Sequence, residues 1–287
     1  MIEGYLTALV LRDQEGAKNF YSTKLKGSIV NIEPAKEPHP NGYRMDAMED
    51  SEGKIEGKVT VYSVSTGSPY FASDENTVTV VKEKGSYVID GIEKSKSTEV
   101  IEKDRSLFMK KEGEISGKEI IKLDDLPKFG SPQGGTAGQR FAVGHDGFGP
   151  IALDGEGKKL ALASYGTYPS LIVVDIEGKK ATVLDLFFEG TPLALNWSGD
   201  GKFLSLLMSG ANGNGFINIY DAEGDKKIDD PVKDTFDSGK YSINTPYWDD
   251  ENRLLFNVSG TAGAPGEGKK QDGAYRLDPE KLSLTKL

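Results

Sequence analysis

The sequence contains no cysteine and only two histidines, His39 and His145. The lack of cysteine excludes disulfides, thiolate zinc sites, iron–sulfur clusters and thiol nucleophiles. With two imidazoles in the chain, a histidine-rich metal centre is excluded, and any Ser-His-Asp triad must use one of them. The absence of cysteine does not identify the compartment, because exported and cytosolic proteins can both lack it.

Long apolar runs and an excess of positive charge are also missing. The longest uncharged apolar stretch near the start spans residues 5–11, whereas a bilayer-spanning helix needs about 20 residues, so no transmembrane segment is predicted. Lys and Arg total 35 against 45 Asp and Glu, a net charge of −10; residues 1–104 (13 against 18) and 105–287 (22 against 27) carry −5 each. Because a nucleic-acid partner requires a cationic surface to neutralise phosphates, we expect none.

What the sequence does contain is the composition of a turn-rich globular protein. Hydrophobic residues make up 37% and charged residues 28%, with 35 Gly and 13 Pro. This balance is typical of folded proteins and not of disordered tails. A length of 287 residues suggests two domains, at about 150 residues for each.

The first third of the chain changes from helical to strand periodicity. Apolar residues at three- and four-residue spacing predict helices over residues 1–12 and 14–23, with Asp13 as the N-cap of the second. From residue 28 the period becomes two, which predicts strands over residues 28–33, 43–48, 57–65, 77–82 and 86–92. We therefore predict an α+β domain over residues 1–104, a helical hairpin on a curved antiparallel sheet.

Three segments of this domain resemble a known family: NTVTVVKEKGSYVID at residues 76–90, YLTAL at 5–9 and AKNFY at 17–21. They are similar to segments of nuclear-transport-factor-2-like (cystatin-like) domains. The resemblance implies a cone-shaped pocket lined by residues such as Tyr5, Phe20 and Tyr62. It does not imply catalysis, because the family's enzymes place a His/Asp or Tyr/Asp set in the cone. The only imidazole here, His39, lies in a Pro-His-Pro loop.

The rest of the chain repeats an eight-residue pattern three times. The copies, which superpose without a gap, are LDGEGKKL at 153–160, WSGDGKFL at 197–204 and WDDENRLL at 248–255. Each is followed by a predicted strand that ends in an acidic turn, at Asp175, Asp221 or Asp278. Periods of about 40–50 residues with four short strands are typical of β-propeller blades. We predict full blades over 149–187, 192–235 and 244–286, with outer strands of an incomplete blade at 106–109 and 118–123.

This repeat is similar to TolB-type and WD-type β-propeller repeats, with Gly199 and Asp250 where the bacterial pattern has proline. The resemblance implies an all-β domain of propeller-like blades over residues 105–287. It leaves the function open, because propellers serve as hydrolases, peptidases, lyases and scaffolds. Three blades leave an open arc, so we expect a partial or minimal propeller. Its exposed end would be covered by the N-terminal domain or by residues 124–148, with dimerisation as the alternative.

Acidic residues recur at equivalent positions of the blades, as they would in a calcium site. They are Asp154, Glu156, Asp200, Asp221, Glu223, Asp249 and Asp250. Each lies in a tight turn, where Asp suits the backbone geometry, and no segment has the spacing of a calcium-binding loop, so we predict turns, no metal site and no cofactor. Trp197 and Trp248 share a position with Leu153, which favours packing over sugar stacking.

One loop combines a titratable imidazole, an acid and a cation: His145, Asp146 and nearby Arg140, within the connecting segment 127–149. These are the candidate ligand-binding residues, for an anion or carboxylate, or a proton-transfer pair; no catalytic residue is assigned. The alternative is that they anchor the loop. His145 would then bond backbone carbonyls, and Arg140 would pair with a blade carboxylate.

Together these features favour a non-enzymatic binding or assembly protein that presents a surface to a protein, peptide or glycan, as a monomer or dimer. The alternative is an envelope hydrolase or lyase that uses carboxylates or His145. The resemblance, and a start that enters a helix directly as if a leader or lipid anchor had been removed, predict a bacterial, extracytoplasmic protein. A cytoplasmic location is the alternative.

Overall fold

Short helices precede the first strand in the computed structural model, which describes residues 1–28, 37–51, 53–136, 138–261 and 271–287. Those before the first strand are α1 Ile2–Val10, α2 Gln14–Lys18 and α3 Thr23–Ser28. A 3-10 turn at Leu123–Asp125 and α4 Asp230–Thr235 come later in the chain. Asp13 caps α2 as predicted, because its Oδ1 accepts from the Gly16 amide at 2.8 Å. The predicted helix over 14–23 is shorter and ends at Lys18. No helix in the described ranges has the length and apolarity to cross a membrane.

The first sheet is a six-stranded antiparallel meander in which each strand pairs with the next. Its strands are β1 His39–Ser51, β2 Lys54–Val64, β3 Tyr70–Glu83, β4 Ser86–Lys103, β5 Ser106–Lys111 and β6 Lys118–Lys122. Of the strand predicted over 28–33, Ser28 ends α3, and residues 29–33 lie outside the described ranges. The strands predicted at 106–109 and 118–123 belong to this sheet and not to a blade, because β5 pairs with β4 across a tight turn. The sheet thus continues past residue 104, where the sequence placed the domain boundary.

The predicted α+β domain with a cone-shaped pocket is not supported. The chain is mostly strand from residue 39 onward, and the three lining residues do not meet. Tyr5 and Phe20 pack in one apolar cluster, whereas Tyr62 packs in another, with its ring 5.9 Å from that of Phe71. Successive residues of β2 point to opposite faces, so Val61 joins the cluster of the helices and Tyr62 turns away from it. The resemblance to nuclear-transport-factor-2-like domains therefore does not extend to the fold.

Three four-stranded antiparallel sheets lie in the ranges where the sequence predicted blades. They comprise β9 Gly147–Leu153, β10 Lys159–Tyr165, β11 Ser170–Asp175 and β12 Lys180–Leu186; β13 Thr191–Trp197, β14 Phe203–Ser209, β15 Gly215–Asp221 and β16 Lys226–Lys227; and β17 Tyr241–Trp248, β18 Leu254–Gly260, β19 Gly273–Asp278 and β20 Ser283–Lys286. The segment predicted as a loop over 127–149 contains a small hairpin of β7 Phe129–Gly130 and β8 Phe141–Ala142.

The sequence suggested that the three repeat copies superpose without a gap, but in the structure they do not. Leu153 pairs with Leu160 and Trp197 with Leu204, but Trp248 pairs with Leu254. The turn of the third copy is therefore one residue shorter. Its fully buried leucine is Leu254, whereas the next residue packs towards the first sheet.

The first sheet takes the fourth place in a ring with the three blades. The innermost strand β13 lies between β9 and β17, while β1 contacts β17 and β3 contacts β9. Tyr43 of β1 lies against Tyr247 of β17, with ring centroids 6.3 Å apart. On the other side, Phe71 packs in one cluster with Phe148 of the first blade. The open arc is thus covered by the N-terminal sheet, one of the covers that the sequence predicted.

Candidate functional site

A pocket of about 370 Å³ opens at the end of the ring where the innermost strands begin. Residues near the starts of β1, β9 and β13 line it together with Thr245 and Pro246 of β17, and the β2–β3 loop completes the wall. Its volume lies in the range of sites that hold small organic ligands. We refer to it as the channel-mouth pocket.

Each of the four innermost strands contributes one proline to this pocket: Pro40, Pro150, Pro192 and Pro246. These strands are at the edges of their sheets, so one side of each has no strand partner. Proline has no N–H and is tolerated in a sheet only where the ladder does not require one. The prolines therefore form an apolar, conformationally restricted wall.

Two asparagines form the floor of the channel-mouth pocket. Asn196 Nδ2 donates to the Pro246 carbonyl oxygen at 2.9 Å, and because a carbonyl only accepts, this fixes the orientation of the amide. Asn196 Oδ1 therefore faces Asn41 and accepts from its Nδ2 at 2.5 Å. Asn196 also lines a separate cavity of about 20 Å³, so this residue lies between the two spaces.

The hydrogen-bonding capacity of this floor is not fully used. Asn41 is only 9% exposed, and its Oδ1 has no hydrogen-bond partner among the described residues. Its orientation follows from that of Asn196, so turning the amide round would place two acceptors against each other. Buried acceptors without partners are rare in folded proteins and accompany binding or strain.

The rim carries one cation and one imidazole. Arg12 follows α1 with φ of 58°, is exposed, and makes no ion pair with any described residue. His39 Nδ1 lies 3.1 Å from Glu37 Oε2. Burial and, to a smaller extent, the positive charge of Arg12 hold the pKa of His39 below its usual range, against the opposing effect of Glu37. The ring is therefore neutral at pH 7.

Backbone strain is present in the same wall. Thr245 has φ of 47°, a left-handed conformation that is unusual for a β-branched residue. It precedes Pro246, which adds a steric restriction, and its Oγ1 accepts from Asn257 Nδ2 at 3.1 Å. Strained residues of this kind cluster at binding and catalytic sites.

The residues predicted as a ligand site are held by contacts of their own. His145 Nδ1 lies 2.8 Å from Ser164 Oγ, and Nε2 lies 2.9 Å from the Pro127 carbonyl oxygen, so both ring nitrogens are engaged. The Asp146 amide donates to the Tyr165 carbonyl oxygen at 2.8 Å. These bonds match the loop-anchoring alternative for His145.

Arg140 anchors the loop in a different way from the one anticipated. Its guanidinium lies 5.6 Å from the ring centroid of Phe129, a cation–π contact, and no ion pair with a carboxylate of the described chain is present. It lines a shallow pocket against β12, to which neither His145 nor Asp146 contributes. The three residues are therefore not brought together around one cavity, and their joint role in binding stays a prediction.

The acidic repeat positions act in turns. Asp154 Oδ1 accepts from the Lys158 amide, and Asp249 Oδ1 accepts from the amides of Glu251 and Arg253. Asp221 likewise accepts from two amides in the turn after β15. These bonds favour backbone geometry as the reason for the recurring acids.

The channel-mouth pocket could not be predicted from the sequence because its residues come from distant parts of the chain. Arg12, Asn41, Asn196 and Thr245 are brought together only by closure of the ring. One signal was available: a proline shortly before three repeat positions, and another in the Pro-His-Pro segment. Chemically, the pocket offers apolar walls, a cation and fixed amides, and these are the components of a binding site.

Searches with protein-family models and with curated proteins find no match for this chain. Similar solved structures include TolB from Acinetobacter baumannii (14% identity, 85% of this chain and 57% of that one, TM-score 0.38). Oligogalacturonate lyase from Vibrio parahaemolyticus matches at 12% identity over 85% of this chain and 71% of its own, with TM-score 0.46. Puromycin hydrolase matches at 10% identity over 85% and 39%, with TM-score 0.42.

The chain spans little more than half the length of the TolB structure. With TM-scores below 0.5, these similarities carry no argument about function, and the neighbours include a lyase and a hydrolase as well as TolB. The propeller-like arrangement rests on the sheets of this chain.

Proposed function

We propose that this protein is a non-enzymatic binding protein and that its ligand site is the channel-mouth pocket. The observation that carries the proposal is the convergence of four sheets on one cavity of about 370 Å³ with a closed polar floor. Walls from separate sheets are fixed by the closure of the ring, so the pocket is formed before a ligand arrives. A pre-formed site loses little entropy on binding.

The contacts of the candidate catalytic groups favour binding over catalysis. A hydrolase or lyase that used His145 would need a ring nitrogen for proton transfer, whereas both nitrogens are bonded to the protein. The recurring carboxylates of Asp154 and Asp249 are engaged by turn amides. The ligand class within the proposal is protein, peptide or glycan.

Ligand-observed NMR with a mixed library of short peptides and oligosaccharides tests this function. The wild type is compared with Ala194→Phe, which fills the pocket, and with Ala142→Phe, an exposed alanine outside it. We expect at least one compound to bind the wild type and Ala142→Phe but not Ala194→Phe. Compounds that bind all three equally, or no bound compound, contradict the proposed site. Product signals that grow with time would favour the hydrolase or lyase.

An extracytoplasmic location is part of the proposal. It rests on the resemblance of the repeats to TolB-type propellers. Codons upstream of Met1 that encode a signal peptide or a lipid-anchor segment would support it. Fractionation of the native organism that recovers the protein only with cytoplasmic markers would contradict it.

A further inference from the structure

The charge of the channel-mouth pocket is opposite to that of the whole protein. The chain has 45 Asp and Glu and a net charge of −10. Yet none of the 23 described residues that line the pocket is acidic, and Arg12 has the only charged side chain among them. A described lining whose one charged side chain is an arginine favours a ligand that carries a negative charge.

Arg12 is available to such a ligand. Its guanidinium makes no ion pair with the described residues, although the protein has many exposed carboxylates. Glu37 is hydrogen-bonded to His39 and to Thr66, both of which line the pocket, but Glu37 is not itself a lining residue. An arginine fork binds a carboxylate through two parallel N–H donors.

The two sides of the pocket differ in polarity. The β2–β3 loop supplies Ser65, Thr66 and Ser68 on one side, and the blades supply Pro150 and Leu193 among the apolar residues on the other. A ligand that fits has polar backbone groups along one edge and an apolar side chain on the other. A purely apolar acid could add no hydrogen bond to this loop beyond those that Thr66 already donates to Glu37.

The apolar surface continues beyond the mouth. Tyr165 and Leu193 line the pocket and are still 39% and 43% exposed. Phe188, at the same end of the first blade, is 53% exposed and packs edge-on against Tyr168, with ring centroids 5.3 Å apart. A chain that leaves the pocket would therefore meet further apolar contacts.

From these observations we infer that the channel-mouth pocket binds the C-terminal residue of a peptide chain whose last side chain is apolar. The terminal carboxylate pairs with Arg12, the side chain packs on the proline wall, and the preceding residues leave over Tyr165 and Leu193. The inference rests on the proposed function and specifies its ligand.

Calorimetry on the full chain with three small ligands tests it. They are N-acetyl-Ala-Phe with a free carboxylate, the same dipeptide as its C-terminal amide, and 3-phenylpropanoate, which has the carboxylate and ring but no peptide group. The key variant is Arg12→Asn, because asparagine tolerates the left-handed backbone at this position. The matched control is Lys179→Asn, the same charge change at φ of 50° in an exposed turn at the other end of the first blade.

At low salt we expect the free dipeptide to bind about tenfold more tightly than its amide, and about tenfold more tightly than 3-phenylpropanoate. Arg12→Asn should remove the preference over the amide, and Lys179→Asn should retain it. Equal affinity for acid and amide, a preference that survives Arg12→Asn, equal affinity for 3-phenylpropanoate, or no binding of the dipeptide would each overturn the inference.

The variant Ala194→Phe separates this outcome from failure of the proposed function. If acid and amide bind equally and both are lost in Ala194→Phe, the carboxylate assignment is wrong and the pocket remains the binding site. If the dipeptide binds Ala194→Phe as well as the wild type, both the inference and the proposed site are contradicted.

Discussion

The indole Nε1 of Trp248 donates a hydrogen bond to the backbone carbonyl oxygen of Asn196 at 3.0 Å. The same contact occurs one blade earlier, where Trp197 Nε1 donates to the Ala152 carbonyl oxygen at 3.0 Å. Each acceptor lies one residue before the equivalent position of the preceding innermost strand. The two tryptophans therefore join each blade to the one before it, which explains the packing role that their repeat position predicted.

We expect Trp248→Phe to lower the free energy of unfolding by about 1–3 kcal/mol, from a lost buried hydrogen bond and a smaller ring. Phenylalanine retains the stacked contact with Phe203, whose ring centroid lies 6.0 Å away, so the fold should persist. Urea denaturation measures the change. Tyr87→Phe, on an exposed ring, is the control and should be neutral. A Trp248→Phe variant as stable as the wild type would show that the interblade bond contributes nothing.

A second interblade contact is centred on the buried carboxylate of Asp185. Its Oδ2 accepts from Tyr220 Oη at 2.7 Å and lies 3.3 Å from Lys227 Nζ, while Oδ1 accepts from the Gln133 amide at 2.8 Å. We expect Asp185→Ala to lower the free energy of unfolding by about 3 kcal/mol, because the Tyr220 hydroxyl loses its acceptor and Lys227 keeps only the longer ion pair with Asp229, at 3.7 Å. Asp185→Asn should cost less, since its carbonyl oxygen can still accept.

The control for Asp185 is Asp175→Ala in the same blade. Asp175 is exposed, and its Oδ1 accepts from the Gly178 amide at 2.7 Å, so a loss of about 1 kcal/mol or less is expected. Chemical denaturation of both variants compares them directly. Equal losses would mean that burial of Asp185 adds nothing to its contribution.

The attachment of α3 to the first sheet should depend on pH. Asp90 accepts from Lys24 and Ser22, and Glu83 accepts from Thr23; these bonds hold the pKa of both carboxyls below their usual values. A depressed pKa in the folded state means that the stabilisation is present above the ordinary value of about 4 and is lost as pH falls below it. We therefore expect α3 to detach from the sheet more often as pH falls from about 5 to about 3, the range around the ordinary carboxyl pKa.

Hydrogen exchange at the Ser22 amide, which donates to the Ile89 carbonyl oxygen at 2.8 Å, reports this opening. Protection, corrected for the intrinsic exchange rate, should fall over that range in the wild type. In Asp90→Asn with Glu83→Gln it should be low at pH 6 and change little on acidification. A wild-type profile that is flat below pH 5 would contradict the assignment to these carboxyls.

Local signals predicted the parts of the fold that depend on neighbouring residues. The Asp13 cap, the strand alternation and the acidic turns at Asp175 and Asp221 all act within a few residues, and the structure confirms them. The prediction that β5 and β6 belong to a blade was wrong, because the pattern of an isolated amphipathic strand does not indicate which sheet it joins. The one-residue shortening at Trp248 failed for a related reason, since the eight-residue pattern tolerates a shift of its final leucine.

The candidate site was less predictable than the fold. His145 was chosen because it is chemically versatile, but versatility does not distinguish a loop anchor from a ligand-binding group. Arg12 and Asn41 are unremarkable in sequence and gain their importance from what the closed ring leaves around them. The lack of a carboxylate among the described lining residues, and of an ion pair to Arg12, becomes visible only once the pocket is assembled.

The hydroxyl of Tyr62 is buried beside the cavity of about 20 Å³ and has no hydrogen-bond partner among the described residues. An unpaired buried hydroxyl is costly to desolvate, and burial also raises the pKa of Tyr62. We expect Tyr62→Phe to leave the free energy of unfolding unchanged or to raise it by up to about 1 kcal/mol, because the stacked contact with Phe71 remains. Thermal and urea unfolding measure it, with Tyr220→Phe, which removes a bonded hydroxyl, as the destabilised control. A clear loss in Tyr62→Phe would mean that a bound water satisfies the hydroxyl, since this cavity is large enough for one.

Closure of the ring by the first sheet predicts how the blades behave alone. A 105–287 fragment lacks β1–β4 and so exposes the apolar residues that Phe71 and Val100 cover, as well as the face of Tyr247 against Tyr43. Exposed apolar faces and strand edges favour association. We therefore expect the fragment to form oligomers or aggregates in light scattering and to unfold without a single cooperative transition, while the full chain stays cooperative.

Adding residues 1–104 as a separate chain should restore solubility if the missing surface is the cause. A fragment that is monomeric and cooperative by itself would show that the three blades close without the first sheet, and that the 105–287 division marks an independent domain.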